Sequence, residues 1–132
     1  MRRVFVDTSG FYAVLDRTDS FHRPATEAFV RAEVEHWQLL TSDYVVHESW
    51  ALIQGRLGWK ALDDFLDVLL ALCTVEHVDQ GLFAVGASRC RHARQRGLSL
   101  TDCISLELMK RAGVDEAIAH DVHFERERIR MP

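Results

Sequence analysis

The chain has 132 residues, 48% hydrophobic and 27% charged, with a formal net charge of −4. That balance excludes a disordered chain, and the length makes one domain, residues 1–132, the expectation. A net negative charge argues against a general nucleic-acid coat, no apolar run reaches membrane-spanning length, and no signal-peptide core precedes Asp7, so a cytoplasmic protein is expected.

Val4-Phe5-Val6 reads as a buried strand that stops at Asp7. Gly10–Leu15 suits a short helix, with Asp7, Thr8 and Ser9 all competent to cap it. A second helix is expected from near Ser20, with Ala25, Ala28, Phe29 and Ala32 on its inner face. WQLLTS (37–42) reads as a strand, and DYVVHESWALIQGRLG as a helix ending near Gly58. WKALDDFLDVLLAL is a further amphipathic helix, and CTVEHV (73–78) a third strand. Asp79 is placed to cap a long helix that reaches Arg96 and closes at Gly97. A helix from about Thr101 closes at Gly113, and Ala117–Ala119 forms a last short strand before Asp121. Cys73, Cys90 and Cys103 are odd in number and widely spaced, the pattern of reduced thiols rather than of a disulfide or zinc framework.

Short strands alternating with helices imply βαβ units and a parallel sheet covered on both faces. In such sheets ligands bind beyond the carboxyl ends of the strands, where Asp7 and Asp121 fall. Each acid has an ordinary structural reading. Asp7 and Asp121 suit helix caps or turns. Asp102 completes a Ser-x-x-Asp capping box with Ser99. Glu48 lies at the edge of the stripe made by Val45, Ser49 and Leu52, where a boundary glutamate is common. Together, however, two strand ends, one helix start and one helix edge are expected to converge on one end of the sheet. Carboxylates gathered at low dielectric repel unless cations sit among them, and oxygen-only ligands select hard ions such as Mg²⁺ or Mn²⁺. Mg²⁺ shares its ligation readily with phosphate, which fits metal-assisted phosphodiester cleavage.

The blocks VFVDTSGFYAVLD, YVVHESWALI, LTDCISLELMKRAG and AIAHDVHFE resemble, in order and spacing, those of PIN-domain ribonucleases, most nearly the VapC-type toxins of toxin–antitoxin pairs. The resemblance runs essentially the whole chain. It implies a three-layer α/β/α sandwich with a mainly parallel sheet, a Mg²⁺- or Mn²⁺-dependent endoribonuclease, and a homodimer held by a VapB-like antitoxin. By position, Asp7, Glu48, Asp102 and Asp121 match the family's catalytic and metal-binding acids, and Thr8 a hydroxyl near the metal. One departure is Ala119, where relatives often carry Thr or Ser.

Rival readings are a non-catalytic binding module of the same fold and a haloacid-dehalogenase-like phosphatase, which needs a second Asp where this chain has Ser9. His120 is read as a solvated loop residue with phosphate contact as the alternative, Trp37 and Trp50 as core, and Trp59 as an exposed interface residue. RCRHARQR (89–96) is either a solvated charged face or a contact for phosphate or antitoxin. From Val45 to Leu70 the helices carry more apolar residues than one inner stripe needs, which suggests a dimer or antitoxin surface.

Overall fold

The structure is a computed structural model and describes residues 1–132. Four parallel strands form the sheet: β1 (Arg3–Val6), β2 (Gln38–Ser42), β3 (Cys73–Glu76) and β4 (Ala117–Ile118), in the order β3-β2-β1-β4. The central strands are apolar runs without alternation, and Val4, Phe5, Val6, Leu39 and Leu40 are all buried. Successive strand residues point to opposite faces, so such burial requires helices on both sides of the sheet. Seven helices supply them: α1 (Thr8–Leu15), α2 (His22–Val34), α3 (Asp43–Leu57), α4 (Trp59–Asp64), α5 (Gln80–Ala93), α6 (Leu100–Ala112) and α7 (Val122–Arg126). The result is the expected α/β/α arrangement with a wholly parallel sheet. No helix is long and apolar enough to cross a membrane.

The chain builds outward from β1 through β2 to β3, then returns to place β4 on the other side of β1. That reversal makes the carboxyl ends of β1 and β4 the crevice of the sheet. The crevice is drawn tight at Gly10: a Cβ there would stand 2.2 Å from the Ile118 carbonyl oxygen. The same carbonyl accepts the Asp7 N–H at 3.2 Å, so one backbone oxygen joins both strand ends.

Several boundaries differ from the sequence reading. Helix α1 starts at Thr8 because Asp7 itself is the cap, accepting the Ser9 N–H; Thr8 and Ser9 lie inside the first turn. Helix α2 starts at His22, with Phe21 as its cap residue. The stretch read as one helix after Gly58 is α4 followed by a π-helical turn (Phe65–Leu69) and a 3₁₀ turn (Leu70–Leu72). The buried spacing of Leu62, Phe65 and Leu69 reads alike in all three, so periodicity does not report the change in hydrogen bonding. Helix α5 stops at Ala93, and Arg94 in the left-handed region (φ 52°) closes it instead of Gly97. Since α6 begins at its Ser99 cap, residues 94–98 are needed to reverse the chain between two packed helices. Trp37 is buried beneath the Arg2 and Arg31 guanidiniums, whereas Trp50 is not core: it is 40% exposed and donates to Gln54.

Gly10→Ala should cost about 1–3 kcal/mol in urea unfolding, the usual range for overpacking, because the obstructing atom is backbone and cannot rotate away.

Candidate active site at the carboxyl edge of the sheet

Asp7 leaves the end of β1 and is only 3% exposed. Its Oδ2 accepts two bonds from Ser9, from the hydroxyl at 2.7 Å and from the N–H at 3.2 Å. Its Oδ1 is buried with no hydrogen-bond partner. The Ser9 hydroxyl in turn accepts the His120 N–H at 2.9 Å, tying the Asp7 carboxylate to the segment after β4. Behind it, Ser49 of α3 donates to the buried Thr8 hydroxyl at 3.1 Å and fixes α1 against α3.

Asp102 is the third residue of α6 and lies almost wholly buried. The expected capping box is present: Asp102 Oδ2 accepts the Ser99 N–H, and the Ser99 hydroxyl accepts the Asp102 N–H, both at 3.0 Å. One carboxylate oxygen is thereby committed to the helix start and the other carries no hydrogen bond. Asp121 follows β4 and caps α7 through Oδ1, which accepts the His123 N–H at 2.8 Å. Glu48 sits half-buried on α3, at the edge of the buried Val45–Ser49–Ile53 stripe as the periodicity predicts.

Two of these acids are shifted by burial and by their acidic neighbours. Burial drives the Asp7 carboxyl up to about 7, opposed by the Ser9 hydrogen bonds and reinforced by Asp102 and Asp121. Asp102 is also raised, first by burial and then by Asp121 and Glu48, against the Ser99 hydrogen bonds. No three His, Cys, Asp or Glu side chains stand close enough to enclose an ion unaided. The donor set nonetheless fits a hard divalent cation: it is all oxygen, it carries excess negative charge, and its deepest member has an unpartnered buried oxygen.

Two clefts flank Glu48. One, of about 540 Å³, is lined by Asp43, Tyr44, His47 and Thr101 with Glu48. The other, of about 310 Å³, is lined by Thr8, Ser9, Tyr12, Asp19, Arg56 and His120 with Glu48. A further hollow on α5 is lined by none of the four acids and carries Arg91, His92 and Arg94. Sequence reasoning did not single out Ser9, Tyr12 or Arg56 for the site. The signals existed: Ser9 is two residues past Asp7, the spacing of a local side-chain turn, and Arg56 is two helical turns beyond Glu48 on one face.

A model of the PIN domain family matches residues 4–128. The chain belongs to the PIN domain family. Among PIN relatives it is 28% identical over 122 residues to the 23S rRNA-specific endonuclease VapC20 of Mycobacterium tuberculosis, in strains CDC 1551 / Oshkosh and ATCC 25618 / H37Rv, covering 92% of this chain and 91% of the relative. The crystal structure of M. tuberculosis VapC20, titled a sarcin-ricin loop cleaving toxin, superposes with a TM-score of 0.83 at 27% identity, over 96% of this chain and 98% of that one. The PIN fold expected from the ordered blocks is therefore the fold observed.

The buried charge sets a pH dependence. The unfolded Asp7 carboxyl titrates at its ordinary 3.8 and the folded one at about 7. Between those values the folded state holds the proton more tightly, so stability falls as pH rises through this window and levels off above it. Without metal, the melting temperature of the wild type should therefore drop from about pH 4 to about pH 7 more steeply than that of Asp7→Asn, and added divalent cation should raise the wild type at the upper pH. Parallel melting curves for the two proteins would rule out a buried charge at Asp7.

Proposed function

We propose that this chain is a metal-dependent endoribonuclease, the toxin of a type II toxin–antitoxin pair, with Asp7, Glu48, Asp102 and Asp121 as its catalytic metal-binding acids. The observation that carries the reading is the nearly buried Asp7 carboxylate, with one oxygen unpartnered, at the β1–β4 crevice and under the field of Asp102 and Asp121. Such a group is costly unless a cation completes it. Membership of the PIN family and the VapC20 likeness support RNA as the substrate.

Asp7 and Asp102 are the residues expected to hold the ion directly, with Glu48 and Asp121 completing the set or reaching it through water, and Thr8 lying beside it. The ion is Mg²⁺ or Mn²⁺ on the strength of the oxygen-only donors. When bound, it would supply Lewis-acid stabilisation of phosphate charge and a more acidic water. The protein's own part is positional. Ser9 holds Asp7 Oδ2 so that Oδ1 keeps its free lone pairs, and the capping box does the same for Asp102. Burial excludes competing water from the Asp7 side and holds its carboxyl up to about 7, so a cation held there would be bound with loss of a proton. Ala119 adds no hydroxyl beside Asp121; the hydroxyl linked to that loop is Ser9, through the His120 N–H.

Asp102→Asn keeps the capping geometry nearly isosteric. It should leave the fold intact and reduce Mn²⁺-dependent cleavage by ~100-fold or more, a loss that even groups behind a metal ligand can reach. The assay compares a sarcin-ricin-type hairpin with unstructured RNA; undiminished cleavage by folded Asp102→Asn would exclude the assignment.

The partners proposed are a VapB-like antitoxin and a second copy of the chain. Much of the apolar surplus is used within one copy, since Val45, Leu62, Phe65 and Leu69 are buried. Trp50, Trp59, Val68 and Leu72 remain exposed, Trp59 at 63%, and support an interface on the α3–α4 side. Light scattering should give twice the 15.2 kDa chain mass, and Trp59→Glu should shift the distribution toward the single chain. A wild type that scatters only as a single chain would remove the dimer from this reading.

A further inference from the structure

His120 stands in the segment between β4 and Asp121, and its imidazole lies on Phe21 with ring centroids 4.7 Å apart and planes 21° from parallel. Phe21 packs against the hydrophobic core, so the lower ring is fixed. The backbone of His120 is fixed as well, by its N–H bond to the Ser9 hydroxyl. The residue is nevertheless exposed, and it joins Thr8, Ser9, Tyr12, Asp19, Glu48 and Arg56 around the cleft of about 310 Å³.

The ring itself has no local employment. The rings of His22, His77 and His123 are each hydrogen-bonded, to the Ala13 carbonyl, the Asp43 carboxylate and the Gly97 carbonyl. The His120 ring makes no hydrogen bond; it only stacks. Arg56, the one arginine on the cleft wall, forms none of the molecule's ion pairs. An aromatic platform and a guanidinium in no ion pair therefore share a cleft with two acids, Asp19 and Glu48, the second of which also belongs to the proposed reaction centre. The volume lies at the small end of the ~300–1,000 Å³ typical of small-molecule clefts, a size suited to one nucleotide.

We propose that this cleft seats a nucleotide of the RNA next to the scissile phosphate, its base extending the Phe21–His120 stack and Arg56 contacting its backbone. The proposal rests on the nuclease reading for which phosphate is cut; the cleft shares Glu48 with the acids, while the stacking face of His120 is not one of them. Unstacked RNA bases are commonly held on aromatic side chains, and stacking tolerates any base because each has a π-face. The subsite thus fixes the position of the strand rather than its sequence. Arg56 supplies attraction for a backbone that the surrounding carboxylates would otherwise repel.

The test measures fluorescence anisotropy of a labelled oligoribonucleotide with Mg²⁺ on the cleavage-impaired Asp102→Asn protein, and KM and kcat in the otherwise wild-type chain. His120→Ala should weaken RNA binding about tenfold and raise KM with kcat largely kept, whereas His120→Tyr, which retains an aromatic face, should stay within about twofold of the parent. A 2-aminopurine base placed beside the cut should be quenched by the parent and not by His120→Ala. Unchanged affinity in His120→Ala, or a Tyr variant as weak as Ala, would overturn the stacking subsite. A chain with Asp102 intact that binds RNA through His120 yet cleaves none would overturn the nuclease reading and leave the subsite standing.

Discussion

The structure is organised around a carboxylate placed where a carboxylate is expensive. Asp7 is buried at the junction of β1, β4 and α1, with one oxygen satisfied by Ser9 and the other by nothing in the chain. Its neighbours by field are also acids, so nothing within the protein neutralises it. Everything nearby serves to hold that arrangement. Gly10 lets the first turn of α1 approach the Ile118 carbonyl, the Ser9 hydroxyl joins Asp7 to the His120 backbone, and Ser49 locks Thr8 from the far side. A charge held this firmly in low dielectric is a standing demand for a cation.

The acids also do the work of folding. Asp7 caps α1, Asp102 completes the capping box of α6, and Asp121 caps α7. A helix start offers free N–H groups and a favourable dipole, so it lowers the cost of a buried carboxylate and orients it by spending one oxygen on the backbone. The second oxygen is then available in a fixed direction. Capping is no rival to the proposed ligation by these residues, because the same bond that begins the helix aims the acid. Asn at these positions keeps much of the capping ability and removes the charge, which separates the two contributions.

The cations are divided between structure and surface. Arg89 on α5 reaches Glu107 of α6 at 3.1 Å and also Glu127 beyond α7, bracing the C-terminal segment against the helix pair. It therefore leaves the charged face to which its sequence neighbours belong. Arg91, His92 and Arg94 line a hollow of their own with no acid on its wall. Gly86 permits α5 to lie close on Ile104 of α6, and that packing sets the position from which Asp102 projects. The route from sequence to site thus runs through a small residue in one helix and a capping box in the next.

The strands, most helices and their apolar faces were legible in the linear sequence, because side-chain period and capping residues are local properties. The runs Val4–Val6 and Leu39–Leu40 had to be buried, Ser99 and Asp102 had to begin a helix, and Gly113 closed it in the left-handed region, φ 70°. The ordered blocks around Asp7, Glu48, Asp102 and Asp121 carried the family resemblance in the same way. Tertiary structure decided what depends on distance across the fold. Nothing local to Asp7 tells that one of its oxygens would lack a partner, nor that Asp102, ninety-five residues later in the chain, would raise its pKa. Nothing local to Arg89 reveals two glutamates on other elements, and nothing local to His120 reveals Phe21 beneath its ring. Periodicity places a side chain on a face; only the packed sheet order, with β4 beside β1, decides which faces meet.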